Sequence, residues 1–120
     1  MSSTFPDREN PGNGTRVIAH RGASGYLPEH TAAAKTLAYG LGADFIEQDV
    51  VASRDGIPVV LHDIYLDDVS DVARQFAGRE RPDGHFYVCD FTRQELGRLR
   101  LAERRLPGES ALRFPGRYPY

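Results

Sequence analysis

The stretch "VIAHRGASGYLPEHT", Val17 to Thr31, decides the fold of the first half of the chain. It begins with an apolar, β-branched run that is typical of a short buried strand. The run ends in His20 and Arg21, two polar side chains that burial in a core does not require. Turn-forming residues follow, and Thr31 is placed to cap a helix through "AAAKTLAYGLG". The pattern predicts a strand and a helix that are joined by a polar loop.

The composition indicates one globular domain and excludes several classes of protein. The 120 residues are 40% hydrophobic and 27% charged, with a formal net charge of -2. This near-neutral balance argues against nucleic-acid binding or membrane attraction through charge. No apolar run approaches the roughly 20 residues of a membrane span. Cys89 is the only cysteine, which excludes an intrachain disulfide and a cysteine-based metal site.

The start of the sequence lacks the basic and apolar segments of a signal peptide. We therefore expect a cytoplasmic protein as the sequence is written, and a periplasmic or secreted one if an upstream signal has been lost. Residues 1–15 are rich in Pro, Gly and Asn, which predicts a mobile tail before a folded part at 16–120.

Two further strands are predicted after the helix, so the fold class is α/β. "ADFIEQDVVAS" and "IPVVLHD" are the two strands, and Asp55-Gly56 between them predicts a two-residue hairpin turn. Residues 63–91 mix acidic and turn-forming residues, which favours an insertion that runs over the surface. Thr92 and Glu95 then form a capping box at the start of another helix.

Glu47 and Asp49 form the most informative pair of acidic residues. Two positions apart on a strand, they share one face, where two carboxylates are costly unless a cation holds them. Oxygen ligands suit Mg²⁺ or Ca²⁺. A two-residue turn would also place Asp49 opposite His62, although a shift of one residue would turn His62 to the other face. Together with His20 and Arg21, this patch would have the groups needed for metal-assisted phosphoryl transfer.

These motifs together resemble the N-terminal part of the glycerophosphodiester phosphodiesterase family, especially its bacterial periplasmic type. The resemblance covers about residues 15–102 and rests on His20-Arg21-Gly22, Glu47-x-Asp49, "DGIPVVLHD" and "DFTRQEL". It implies a (β/α)₈ TIM-type barrel with the active residues at one end of the strands. Because such a barrel needs roughly 250 residues, the chain is expected to form a truncated, N-terminal portion. A third metal ligand would come from a later strand.

The resemblance also implies a role for individual residues. His20 and His62 match the two catalytic histidines, and Arg21 matches the arginine that binds the phosphate. Glu47 and Asp49 match the first two ligands of Ca²⁺ or Mg²⁺. Two further residues would contact these groups rather than the substrate or the metal. Glu29 could support the site or interact with the helix dipole, and Asp63 could orient an imidazole or merely begin the loop.

The implied activity is hydrolysis of glycerophosphodiesters to sn-glycerol 3-phosphate and an alcohol, in lipid and glycerol metabolism. Glycerophosphocholine and glycerophosphoethanolamine are examples of such substrates. The neighbouring hydroxyl of the substrate would attack phosphorus, and water would then open the cyclic phosphate. The two histidines would act as acid and base, in an order that the sequence leaves open.

Other interpretations stay open. The chain could be a non-catalytic remnant that needs a partner chain or self-association, or a related phospholipase D-like phosphodiesterase. A zinc site at His20, His62 and Asp49 is weaker, since a Glu-x-Asp pair suits harder cations. The remaining polar residues and Cys89 are given structural roles. We expect His30 and His85 to be structural, Cys89 to be an apolar filler, and Asp67, Asp68 and Asp71 to lie in a solvated loop.

Overall fold

The computed structural model describes residues 14–104 and 118–119, which form a mixed α/β arrangement. The predicted tail lies outside the described residues as far as residue 13. None of the described helices is long and apolar enough to cross a bilayer. The elements in chain order are β1 (Ile18–Ala19), α1 (Ala32–Gly40), β2 (Phe45–Ile46), β3 (Val50–Ala52), β4 (Pro58–Val60), α2 (Val72–Gln75), a 3₁₀ helix (Val88–Asp90), α3 (Arg93–Leu96), β5 (Arg100–Leu101) and β6 (Tyr118–Pro119).

The first strand, the helix and the second strand form a β–α–β unit. β1 and β2 pair in parallel, with Ile18 opposite Phe45. The predicted cap of α1 is confirmed, because the Thr31 hydroxyl accepts the backbone N–H of Ala34 at 3.1 Å. The loop before the helix packs closely against it at Gly22. A Cβ there would lie 2.9 Å from the Ala34 carbonyl carbon, and φ is +87°, so only glycine fits without strain.

The predicted two-residue hairpin turn is wrong. β3 and β4 pair antiparallel with Val51 opposite Val59. The loop is closed by the N–H of Gly56 on the Ser53 carbonyl, and Gly56 has φ +75°. This is a three-residue loop with a glycine bulge. Continued pairing would place Leu61, rather than His62, opposite Asp49.

The long second strand predicted around Glu47 and Asp49 is also interrupted. Residues 45–46 belong to the parallel pair with β1, whereas residues 50–52 belong to the antiparallel hairpin. Residues 47–49 lie between the two sheets and are not part of a strand. The argument from strand alternation therefore does not apply to the two carboxylates, and their positions follow from other contacts.

The largest apolar core lies around β4 and the segment that follows it. The segment expected to be a surface insertion, 63–91, contributes most of this core. Its apolar residues occur at neither helical nor strand spacing, so the periodicity of the sequence does not reveal that they are buried. The clustered buried residues are Val59, Leu61, Leu66, Val69, Val72, Phe76, Phe86, Val88, Phe91, Leu96 and Leu99.

Two further expectations for this segment are wrong. The Asp71 side chain is buried rather than solvated, and it accepts the backbone N–H of Arg100 at 2.8 Å and the Arg74 guanidinium at 2.5 Å. Cys89 is exposed rather than packed as an apolar filler. The predicted capping box is confirmed: Thr92 and Glu95 exchange side-chain and backbone hydrogen bonds at the start of α3.

Candidate active site

Arg21 follows β1 directly and has a backbone conformation that is uncommon for a non-glycine residue. Its φ is +60°, as is that of His30, whose N–H donates to the Arg21 carbonyl at 3.0 Å. The N–H of Arg21 itself donates to Glu47 Oε2 at 2.9 Å. Each left-handed residue costs about 1–2 kcal/mol. Such strain is concentrated at functional sites, where surrounding contacts maintain it.

The Arg21 side chain lies between two carboxylates. Its Nη1 donates to both oxygens of Glu29, at 3.2 and 3.1 Å. Its Nε is buried without a hydrogen-bond partner in the described part of the chain, 3.8 Å from Asp49 Oδ2. The guanidinium is therefore held in place on one side, and part of its hydrogen-bonding capacity is unused.

His30 contacts Asp49 directly, whereas the sequence predicts only a structural role for this histidine. Its Nε2 lies 3.0 Å from Asp49 Oδ2, and the imidazole side chain is 1% exposed. Burial lowers the pKa of His30, and the neighbouring Asp49 only partly opposes that shift. A histidine beside a helix cap carries no sequence signal for this contact, since Asp49 lies 19 residues away along the chain.

Glu29 is the centre of the polar cluster. Besides Arg21, it accepts two bonds from Arg104, from Nε at 3.1 Å and from Nη2 at 2.6 Å. Burial alone would raise the pKa of this carboxyl group, but the two arginines outweigh burial and hold the pKa below its usual value. Glu29 is thus an ionised anchor for two guanidinium groups.

His62 and Asp63 form an adjacent imidazole–carboxylate pair. His62 Nδ1 lies 2.5 Å from Asp63 Oδ1, and Asp63 Oδ2 accepts Arg104 Nη1 at 2.5 Å. Burial opposes ionisation of Asp63, but Arg104 and His62 together lower its pKa. An ionised carboxylate can only accept hydrogen bonds, so Nδ1 is the donor in this contact, and in the neutral form of the ring Nε2 is then the acceptor.

His20 lies beside this site and shares a cavity with it. It is exposed and lines a cavity of about 190 Å³ together with Arg21, Glu29 and Arg104. Within the described residues, His20 is associated with the other predicted site residues through this shared cavity. The structure thus brings six of the seven predicted residues into one hydrogen-bonded and ion-paired cluster, with His20 beside it. Two residues that were not predicted, Arg104 and His30, also belong to this cluster. Its full membership, in the order of the contacts, is His62, Asp63, Arg104, Glu29, Arg21, Glu47, Asp49 and His30.

Glu47 and Asp49 could contribute to a site for a hard divalent cation. Both are half-buried carboxylates. Among the described residues, each makes its hydrogen bond through one oxygen, which leaves its second oxygen for another ligand. No group of three or more His, Cys, Asp or Glu residues in the described ranges could hold a metal ion. The two carboxylates therefore fit part of a ligand set, and the described residues do not support the zinc alternative.

The family follows from comparison with known proteins. Residues 20–115 match the model of the glycerophosphoryl diester phosphodiesterase family. The chain belongs to this family. It is 48% identical over 105 residues to a glycerophosphodiester phosphodiesterase of Haemophilus influenzae, an alignment covering 86% of the chain and 29% of that protein. It is 54% identical over 84 residues to one of Treponema pallidum, covering 70% and 24%.

Solved structures of the family agree with the described fold. The glycerophosphodiester phosphodiesterase of Agrobacterium tumefaciens superimposes with a TM-score of 0.58 at 36% identity, covering 71% of this chain and 31% of that one. An Oleispira antarctica phosphodiesterase in complex with the product sn-glycerol-3-phosphate has a TM-score of 0.55 at 38% identity, covering 71% and 30%. The chain thus spans less than a third of the length of these family members.

Proposed function

We propose that the protein hydrolyses glycerophosphodiesters to sn-glycerol 3-phosphate and an alcohol, and that it depends on Ca²⁺ or Mg²⁺. The observation that carries this proposal is the cluster that joins the His62–Asp63 pair to Arg21 and the two carboxylates. A family relative solved with sn-glycerol-3-phosphate supports the product. The strands are proposed to be the first part of a (β/α)₈ barrel. The cellular compartment, cytoplasmic or else periplasmic or secreted, stays a prediction.

Each residue has a proposed task in this reaction. Arg21 binds phosphate oxygens through the guanidinium N–H groups that Glu29 does not use. Glu47 and Asp49 would hold the cation, which would neutralise phosphate charge when bound. Glu29 fixes the orientation of Arg21. We expect a third carboxylate ligand from outside the described residues.

The two histidines move the protons. His62, with Nδ1–H donated to Asp63, presents Nε2 to the substrate as a base or, once protonated, as an acid. His20 lines the cavity beside Arg21 and takes the complementary task. One imidazole removes the proton from the attacking hydroxyl while the other protonates the leaving alcohol. The tasks are exchanged when water opens the cyclic phosphate.

Release of sn-glycerol 3-phosphate from glycerophosphocholine and glycerophosphoethanolamine tests the proposal. The purified chain is assayed with Ca²⁺, with Mg²⁺ and with a chelator, beside His62→Ala and a His85→Ala control at an exposed histidine. Turnover that requires metal and is lost only in His62→Ala supports the proposal. Absence of turnover from a chain that melts cooperatively would contradict it.

One observation favours a second candidate, a chain that needs a partner. Val17, which precedes β1, is 57% exposed, and Ile18 and Phe45 on the parallel strands are 62% and 56% exposed, although parallel strands are normally covered on both faces. Self-association or a partner chain could cover them. Light scattering across chain concentrations tests this candidate. Activity that rises with the oligomer fraction would support it, and activity of a strict monomer would exclude it.

A further inference from the structure

Arg104 connects two parts of the candidate site that are distant in sequence. Its guanidinium contacts Glu29, 75 residues earlier in the chain, and Asp63, 41 residues earlier. Its side chain is largely buried, and its contacts with Glu29 and Asp63 are charge-assisted hydrogen bonds. No sequence motif identifies this arginine, because it lies beyond the last motif of the predicted site.

The geometry uses the planar shape of the guanidinium group. Nε and Nη2 form two parallel bonds to the two oxygens of Glu29, at 3.1 and 2.6 Å, while Nη1 points to Asp63 Oδ2 at 2.5 Å. A lysine would keep the charge but could not make this forked contact and reach Asp63 at the same time. The arrangement therefore fixes the two carboxylates relative to each other.

Asp63 links Arg104 to the candidate catalytic histidine, His62. One of its oxygens is held by Arg104, and the other accepts the Nδ1–H of His62. A carboxylate that is fixed at one oxygen cannot rotate freely, so the ring plane and the tautomer of His62 are fixed as well. The same arginine also binds Glu29, which in turn holds the guanidinium group of Arg21.

We infer that Arg104 is a positioning residue that, through Asp63, holds His62 with its proton on Nδ1 and its Nε2 free to act on the substrate. The inference rests on the proposed function for its catalytic meaning, but the positioning itself can be measured without turnover. It predicts that removing Arg104 changes the state of an imidazole that Arg104 does not contact. A purely structural ion pair would affect stability alone.

Histidine ¹⁵N NMR of the folded chain tests the positioning. The wild type is expected to show His62, assigned by its loss in His62→Ala, as the Nδ1–H tautomer. Arg104→Gln should shift it towards the Nε2–H form, and Arg104→Lys should recover the wild-type tautomer only in part. Arg74→Gln is the matched control, because it removes an arginine–aspartate pair outside the cluster and should leave His62 unchanged.

A second variant allows the inference to be tested even if Arg104→Gln does not fold. In Asp63→Asn, the amide oxygen can stay on Arg104, which places the amide NH2 group opposite His62 Nδ1 as a donor. This variant leaves Arg104 on Glu29 and should produce the same tautomer shift as Arg104→Gln. If both variants are folded and His62 keeps its wild-type tautomer, the inference is wrong. If Arg104→Gln unfolds, the result for Asp63→Asn and the partial recovery in Arg104→Lys decide the question.

Turnover separates this inference from the proposed function. In an active chain, Arg104→Gln should lower kcat about 100-fold by misplacing His62. KM should change less, because Arg21 keeps its own bonds to Glu29. A tautomer shift in a chain without turnover would uphold the positioning and contradict the function. Turnover that Arg104→Gln leaves unchanged would contradict the positioning.

Discussion

Two regions of the molecule bury their apolar side chains to very different extents. The strand region, residues 14–49, contains β1, α1 and β2, and it exposes more than half of Val17, Ile18 and Phe45. The core region, residues 50–104, contains the hairpin and the segment after it. Large side chains there, such as Phe91, Leu66 and Leu96, are fully buried.

The strand region nevertheless carries most of the candidate chemistry. Arg21, Glu29, Glu47 and Asp49 all belong to it, whereas the core region contributes His62, Asp63 and Arg104. The difference shows that apolar packing and site chemistry are divided between the two regions. We therefore expect stability to depend mainly on the core region and only locally on the strand region.

The largest expected effect is the loss of Phe91 in the core region, compared with the loss of Phe45 in the strand region. Phe91→Ala removes a ring that is 0% exposed and packs against Phe76, so we expect a loss of about 3–5 kcal/mol in the free energy of unfolding. Phe45→Ala removes a ring that is 56% exposed and should change it by less than about 0.5 kcal/mol. Urea denaturation measures both. Equal losses would show that the two regions do not differ as described.

Two glycines provide a smaller and more local comparison. Gly22→Ala meets both a positive φ and the backbone of Ala34, so we expect a loss of about 2–4 kcal/mol in the free energy of unfolding. Gly56→Ala also has a positive φ, but nothing lies within 4 Å of its Cβ, and the loss should be about 1 kcal/mol. Thermal unfolding of the two variants measures the difference. A loss for Gly56→Ala as large as that for Gly22→Ala would contradict the packing described for the site loop.

The smallest expected effect is a pH dependence in the core region. The backbone N–H of Thr92 and the Arg79 guanidinium hold the pKa of Glu95 at about 2, although its slight burial opposes this. Because the folded-state pKa is depressed, the stabilisation is present above the ordinary value of 4.5 and is lost as the pH falls from 4.5 towards 2.

Replacing Glu95 should therefore weaken the response to acid. Denaturation at pH 6 and pH 3 should show a smaller decline for Glu95→Gln than for the wild type. Glu80→Gln, at an exposed carboxylate, is the control and should decline like the wild type. An unchanged decline in Glu95→Gln would mean that this carboxylate does not contribute to acid sensitivity.

Local features of the fold could be predicted from the sequence. Thr31 and the Thr92–Glu95 box were placed correctly because a cap depends on residues within one helical turn. The hairpin between β3 and β4 was also located correctly, but its register was not. Asp-Gly fits both a two-residue turn and a three-residue loop with Gly56 in the left-handed region, and the sequence does not choose between them.

Long-range features could not be predicted in the same way. The core of residues 63–91 has no regular apolar period, so its burial depends on contacts that only the folded chain shows. Within the candidate site, residues such as Arg21 and Glu29 could be named because they match motifs of the family that the sequence resembles. Arg104 and His30 could not, because their partners lie 19 to 75 residues away and no pattern links them.

The three-residue hairpin loop restricts which changes of length the chain can tolerate. Strand side chains alternate between two faces. If the loop keeps its three-residue form, adding or deleting one residue between Ser53 and Ile57 would therefore shift the pairing of β4 by one position and exchange its two faces. Val59 and Leu61 would leave the core together. Over generations, insertions and deletions here should therefore survive where a new bulge or a loop of another length absorbs the change and keeps Val51 opposite Val59.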